Sequence, residues 1–165
     1  MRRRDLVFAG VTAPVAHVVT GQPTEALARF DWPAIQLIDG RTLAPGTWRG
    51  QAAVVVFWAT YCPYCKRHNA HVDKLYRATQ GKALQVLGVA LESNAEPVQR
   101  YMATLGYGFP VTLDNGDLRK RFTARRVIPM TCVLDREGRL LQSIPGEMSE
   151  DDVLGLERVL QVPKS

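Results

Sequence analysis

An apolar run over residues 52–58 ends in Trp58-Ala59-Thr60-Tyr61-Cys62-Pro63-Tyr64-Cys65, and a helix-patterned stretch begins at once. That junction restricts the fold more than any other part of the chain. A short, continuous apolar run reads as a strand buried on both faces. A Cys-x-x-Cys pair where such a strand meets a helix is the arrangement thiol–disulfide exchange requires. Sulfurs at that spacing can close a small ring. If the pair caps the helix, Cys62 sits where free N–H groups and the helix dipole favour an anion. Cys62 is then the better thiolate and the attacking group. Pro63 suits the first helical turn, where a missing N–H costs nothing.

The rest of the chain alternates strand and helix signals. Residues 35–38 and 42–43 flank Asp39-Gly40, a hairpin turn signal. Residues 53–58 read as the first core strand, and 63–79 as a helix with Leu75 and Tyr76 inward and Gly81 as its stop. Residues 83–91 form a second unbroken apolar run, as a parallel strand covered on both faces would. A helix over 96–105 ends at Gly106, a short strand covers 111–113 and a short helix covers 117–122. Strands at 130–134 and 139–144 are joined through Asp135-Arg136-Glu137-Gly138. A last helix covers 148–160, with Ser149 as N-cap. This alternation predicts an α/β layered domain preceded by a β-hairpin extension.

Composition narrows the function. Of 165 residues, 46% are hydrophobic and 22% charged, a globular balance, and three cysteines are too few for a disulfide scaffold. The net charge of +5 comes from scattered basic residues without aromatic interleaving, which gives nucleic-acid binding no support. Residues 1–28 read as an export signal. Met1-Arg2-Arg3-Arg4-Asp5 is a charged start, 6–19 a modest apolar stretch broken by Pro14 and His17, and Ala26-Leu27-Ala28 a small-x-small cleavage site. Paired arginines before a weakly apolar stretch resemble a twin-arginine signal. Residues 29–165 are then a periplasmic domain, held at the inner membrane if the leader stays uncut.

Taken together, the Trp58–Cys65 core, Arg126-Val127-Ile128-Pro129-Met130-Thr131, Leu134-Asp135-Arg136-Glu137-Gly138-Arg139-Leu140 and the leading lobe with Asp39-Gly40 and Trp48-Arg49-Gly50 resemble the thioredoxin superfamily. More narrowly they resemble its TlpA/ResA-like branch, over residues 30–160. The resemblance implies a thioredoxin fold, with a central mixed sheet flanked by helices. It implies a thiol–disulfide oxidoreductase working through Cys62 and Cys65 without a separate cofactor. It also implies a cis Pro129 beside the pair, with the Ile128 backbone free to take up a substrate strand. An exported reductase would act on disulfides of exported proteins, apocytochrome c among them, and draw electrons from a membrane thiol carrier. Pro63 and Tyr64 would tune its potential.

Departures from the family pattern matter too. Val56 stands where relatives often carry a buried acid, and His68 stands where many carry a glutamate. His68 is one turn from Cys65. It reads either as the proton carrier for Cys65 or as a partly exposed surface histidine. Trp58 and Tyr61 read as packing around the pair, with Tyr61 contributing to the substrate surface. His71 reads as helix surface. Cys132 reads as a buried apolar residue, the alternative being a third redox thiol.

Two rival functions fit the motif less well. A copper or zinc chaperone would use Cys62, Cys65, His68 and His71, but successive three-residue steps rotate about 300° and carry the side chains around the helix. A thiol peroxidase would want a threonine three residues before Cys62, and Ala59 is there.

Overall fold

The computed structural model describes residues 29–114, 116–123 and 125–163. The proposed leader, residues 1–28, lies outside them. Strand β3, Ala52–Trp58, is buried at every position. It pairs in parallel with β4, Leu84–Ala90, in register from Ala52 opposite Leu84 to Trp58 opposite Ala90. On its other side runs β6, Met130–Leu134, antiparallel, with Phe57 opposite Met130. β5, Val111–Leu113, and β7, Leu140–Pro145, complete a five-stranded sheet in the order β5-β4-β3-β6-β7.

Both faces of β3 are covered, which is why its sequence shows no alternation. On one face Val54, Val56 and Trp58 join Val72 and Leu75 of helix α1 (Pro63–Ala78), Val98 of α2 (Ala95–Leu105) and Val153 of α4 (Glu150–Gly155). On the other, Val55 and Phe57 join Leu37, Trp48 and Phe122, the last from α3 (Asp117–Phe122). A separate two-stranded sheet pairs β1, Ile35–Gln36, with β2, Thr42–Leu43. The fold is the expected mixed sheet flanked by helices, with an N-terminal hairpin.

Three elements differ from expectation. The first hairpin strand stops at Gln36, because the next residues serve the larger sheet. Leu37 bridges to Thr112, and the Ile38 N–H donates to the Val111 carbonyl at 2.9 Å, covering the β5 edge. Helix α1 ends at Ala78 with Thr79 as C-cap, its hydroxyl donating to the Leu75 carbonyl at 2.8 Å. Gly81 belongs to the turn beyond. The last helix begins at Glu150 behind Ser149, whose Oγ accepts the Asp152 N–H at 3.2 Å. At Gly155, a poor helix former, it tightens into a 3₁₀ segment, Leu156–Gln161. Among the described residues no helix is long and apolar enough to cross a membrane.

Gly88 shows how closely the sheet and Trp58 are packed. A Cβ there would lie 2.8 Å from Phe109 Cε2 and 2.9 Å from Trp58 Nε1. Gly88→Ala is therefore expected to destabilise the fold by about 1–3 kcal/mol through overpacking, read as a lowered midpoint in urea unfolding with an unchanged slope.

Candidate active site

Cys62 is the N-cap of α1. Its backbone is extended (φ −92°, ψ 112°), and its Sγ accepts the Cys65 N–H at 3.1 Å. Pro63 opens the helix, as its fixed φ and missing N–H allow. Cys62 and Cys65 are bonded to each other as a disulfide, with Cα atoms 5.2 Å apart. Cys62 keeps 8% of its surface exposed and Cys65 none, so only one sulfur has an approach from solvent. The same N–H that bonds Cys62 Sγ in the disulfide is placed to hold a thiolate, and the 16-residue helix adds its dipole.

The Ile128–Pro129 peptide bond is cis. The Pro129 carbonyl accepts the Gly146 N–H at 2.8 Å, whereas neither backbone polar group of Ile128 has a partner among the described residues. Ile128 packs against the core cluster that contains both cysteines. With Met130 opposite Phe57, this unpaired backbone step lies at the end of the sheet where β3 leads into Cys62, open to a strand-shaped ligand.

The turn leading into Cys62 is held from β4. Both the N–H and the hydroxyl of Thr60 donate to Glu92 Oε1, at 2.6 and 2.7 Å. No sequence motif singles out Glu92. Its signal is position, just past the carboxyl end of a parallel strand, where α/β sheets gather their sites.

His68 is fully buried, not partly exposed. The Met148 N–H donates to His68 Nδ1 at 3.2 Å, and Nε2 lies 3.0 Å from Thr131 Oγ1. Because an N–H can only donate, Nδ1 is unprotonated and the neutral ring carries its proton on Nε2, toward Thr131. Burial pushes its pKa down to about 4, with the His71 charge adding and Glu147 opposing. Both nitrogens are engaged, so the ring joins α1 to β6 and to the loop ahead of α4 and keeps no free nitrogen for Cys65. Its burial was foreshadowed by the stripe Cys65, His68, Val72 and Leu75 at helical spacing.

The remaining candidates separate clearly. Trp58 lies wholly in the core, 5.1 Å from the Tyr101 ring. Tyr61 and Tyr64 are exposed rather than packed over the sulfurs. Arg67 stands over the Tyr64 ring, 5.0 Å from its centroid, and donates to both carboxylate oxygens of Glu147 at 2.7 and 2.6 Å. His71 is half-buried, its Nδ1 3.5 Å from Glu150 Oε2 on α4. Among the described residues no three His, Cys, Asp or Glu side chains are grouped so as to hold a metal ion, and Cys62, Cys65, His68 and His71 are no exception. Val56 is buried opposite Thr131. Cys132 is buried 3.6 Å from Ser143 Oγ, and burial pushes its thiol pKa up, away from thiolate chemistry.

The sequence profile of the AhpC/TSA family matches residues 25–143. The thiol-disulfide oxidoreductase ResA of Halalkalibacterium halodurans is 26% identical over 132 residues, which span 78% of this chain and 75% of that protein. Among solved structures, a thiol-disulfide isomerase from Corynebacterium glutamicum superposes with a TM-score of 0.72 at 23% identity, covering 84% of this chain and 99% of that one. StoA from Bacillus subtilis superposes with a TM-score of 0.68 at 22% identity, covering 79% and 98%.

Proposed function

The chain belongs to the AhpC/TSA family of the thioredoxin superfamily and is a thiol–disulfide oxidoreductase, and from that premise we propose that it works as a reductase of disulfides in exported proteins. One observation carries the reading. Cys62 Sγ receives the Cys65 N–H at the tip of α1, at the same end of the sheet as Ile128, whose backbone has no partner among the described residues.

The cycle starts from the dithiol. The Cys62 thiolate attacks one sulfur of a substrate disulfide. That S–S bond breaks, a mixed disulfide forms, and the first substrate sulfur leaves as a thiolate that takes up a proton. Cys65, deprotonated in turn, attacks Cys62 Sγ and expels the second substrate thiolate. The protein is left with the 62–65 disulfide, and two electrons have passed to the substrate. A membrane thiol carrier on the exported side restores the dithiol. Pro129 and Ile128 seat the substrate strand, Trp58 and Glu92 hold the turn before Cys62, and Pro63 and Tyr64 set the helix start between the sulfurs. His68 acts as a positioning residue. The leader sequence supports a periplasmic site of action, and apocytochrome c is one substrate compatible with it.

The deciding measurement is the reduction potential of the Cys62–Cys65 couple, titrated against glutathione. A value more negative than the glutathione couple is expected. A value near the oxidising end of the scale, roughly −120 mV, would reverse the direction of electron flow. The metal-chaperone alternative predicts retained copper or zinc in equilibrium dialysis. The peroxidase alternative predicts turnover with hydrogen peroxide, against which stands Ala59, an apolar residue where that chemistry wants a hydroxyl.

A further inference from the structure

Among the described residues the large hydrophobic side chains left exposed are Tyr61 (75%), Tyr64 (58%) and Val127 (48%). Two flank Cys62 in the sequence and the third precedes the Ile128–Pro129 step, so the exposed apolar surface lies at the end of the sheet that carries the disulfide. The segment leading to Val127 is strongly basic. Arg119, Lys120, Arg121, Arg125 and Arg126 fall within residues 119–126, with no acid among them.

These charges have different duties. Arg119 turns back on the chain, its Nη2 donating to the carbonyls of Arg125 and Val127 at 3.1 and 3.4 Å. It thereby fixes the segment beside the cis-proline. Lys120 stands 3.9 Å from Asp117. Arg125 and Arg126 are exposed and form no ion pair among the described residues, and the same holds for Lys66, next to Cys65. Glu147 is matched by Arg67, whereas Glu92, bonded to Thr60 alone, keeps its charge at the turn before Cys62. Three unpaired cations, Lys66, Arg125 and Arg126, outnumber that one carboxylate at the end of the sheet that carries the disulfide and the exposed apolar side chains.

We infer that this rim selects partners whose attacked cysteine lies in an extended segment with acidic residues two to four positions away. Arg126 and Arg125 stand two and three residues before Ile128, about 7–10 Å along an extended chain. A strand paired on Ile128 carries side chains at that spacing past them. The inference rests on the reductase reading above and adds the chemistry of its substrate. Exposed ion pairs contribute little to affinity, so the selection acts mainly on the rate of encounter and is weakened by salt.

The test uses the pre-reduced full chain in single turnover, so no electron donor is needed. Three peptides share a Gly/Ser background and one cysteine capped as a mixed disulfide with 2-mercaptoethanol. Positions two to four from that cysteine carry Glu, Gln or Lys. The second-order rate constant is expected to be about tenfold higher for the Glu than for the Lys peptide at low salt. That ratio should fall to about twofold or less in 0.5 M salt. Arg125→Gln with Arg126→Gln should bring the low-salt ratio near one, and Arg125→Glu with Arg126→Glu should invert it. The salt series on the unaltered protein needs no variant to fold. Equal rates for all three peptides would overturn the inference while leaving the reductase standing, whereas failure to reduce any peptide would remove the reductase itself. Equal rates together with binding to phosphatidylglycerol vesicles, but not phosphatidylcholine vesicles, would assign the patch to a membrane surface and overturn the inference.

Discussion

Replacing Cys62 with serine reduces disulfide turnover to the uncatalysed background, and replacing Cys65 with serine halts the cycle one step later, at a stable mixed disulfide. The asymmetry follows from geometry. Cys62 is the helix cap, receives the Cys65 N–H at 3.1 Å and keeps 8% of its surface open, whereas Cys65 is closed to solvent. Only Cys62 can meet an incoming disulfide, and a serine there cannot form the sulfur–sulfur bond on which the first step depends. With Cys62 present and Cys65 absent, the first step proceeds and the resolving attack is missing. The check is an insulin-reduction assay with both variants, followed by mass spectrometry of the Cys65→Ser protein after exposure to substrate. A covalent adduct at Cys62 is the expected product. Equal turnover by Cys62→Ser and the unaltered protein, or an adduct found at Cys132 instead, would contradict the assignment.

Acidification from pH 6.5 to 4 removes about 3 kcal/mol of folding stability through His68 alone. The sign follows from the two protonation states. In the unfolded chain the ring titrates near 6.5; in the folded chain burial holds its pKa down, to about 4. Between these values the unfolded state binds the extra proton, so stability rises with pH. The contribution is complete above 6.5 and lost as the pH falls toward 4. Protonating Nδ1 would also force two donors together at the Met148 N–H, a contact now 3.2 Å long. Urea unfolding at pH 7, 5.5 and 4, with the unaltered protein and His68→Gln, isolates the effect, because carboxylates titrate in both proteins and cancel in the difference. The variant is expected to be less stable at pH 7 and to lose less on acidification. Parallel stability curves would exclude the buried neutral ring. With both nitrogens occupied, the pH–rate profile of disulfide reduction between pH 6 and 8 should keep its shape in His68→Gln.

His68 also shows what a single sequence can convey. Its place on the stripe with Cys65, Val72 and Leu75 was readable from helical spacing alone. What lies over that stripe was not, because Thr131 is 63 residues away and Met148 80. Glu92 is a similar case: the end of a parallel strand is a known place for sites, yet only the folded chain brings its carboxylate to Thr60, 32 residues earlier. The first hairpin was readable as a turn, while its short length depended on competition for Leu37 and Ile38 by the edge of β5.

By itself the sequence determined the chemistry: paired cysteines with two residues between them, a proline suited to a helix start, and an apolar strand shortly before them. Each of these is a local property, set by covalent spacing and by the conformations individual residues allow. Tertiary structure decided how the pair is reached and what surrounds it. It opened Cys62 and closed Cys65, left the Ile128 backbone without a partner among the described residues, turned Arg119 inward and Arg125 and Arg126 outward, and neutralised His68 in the core. The reason is physical. Exposure, hydrogen-bond partners and the protonation state of a buried ring depend on which distant segments arrive alongside, and that is settled only when the two faces of the sheet are covered.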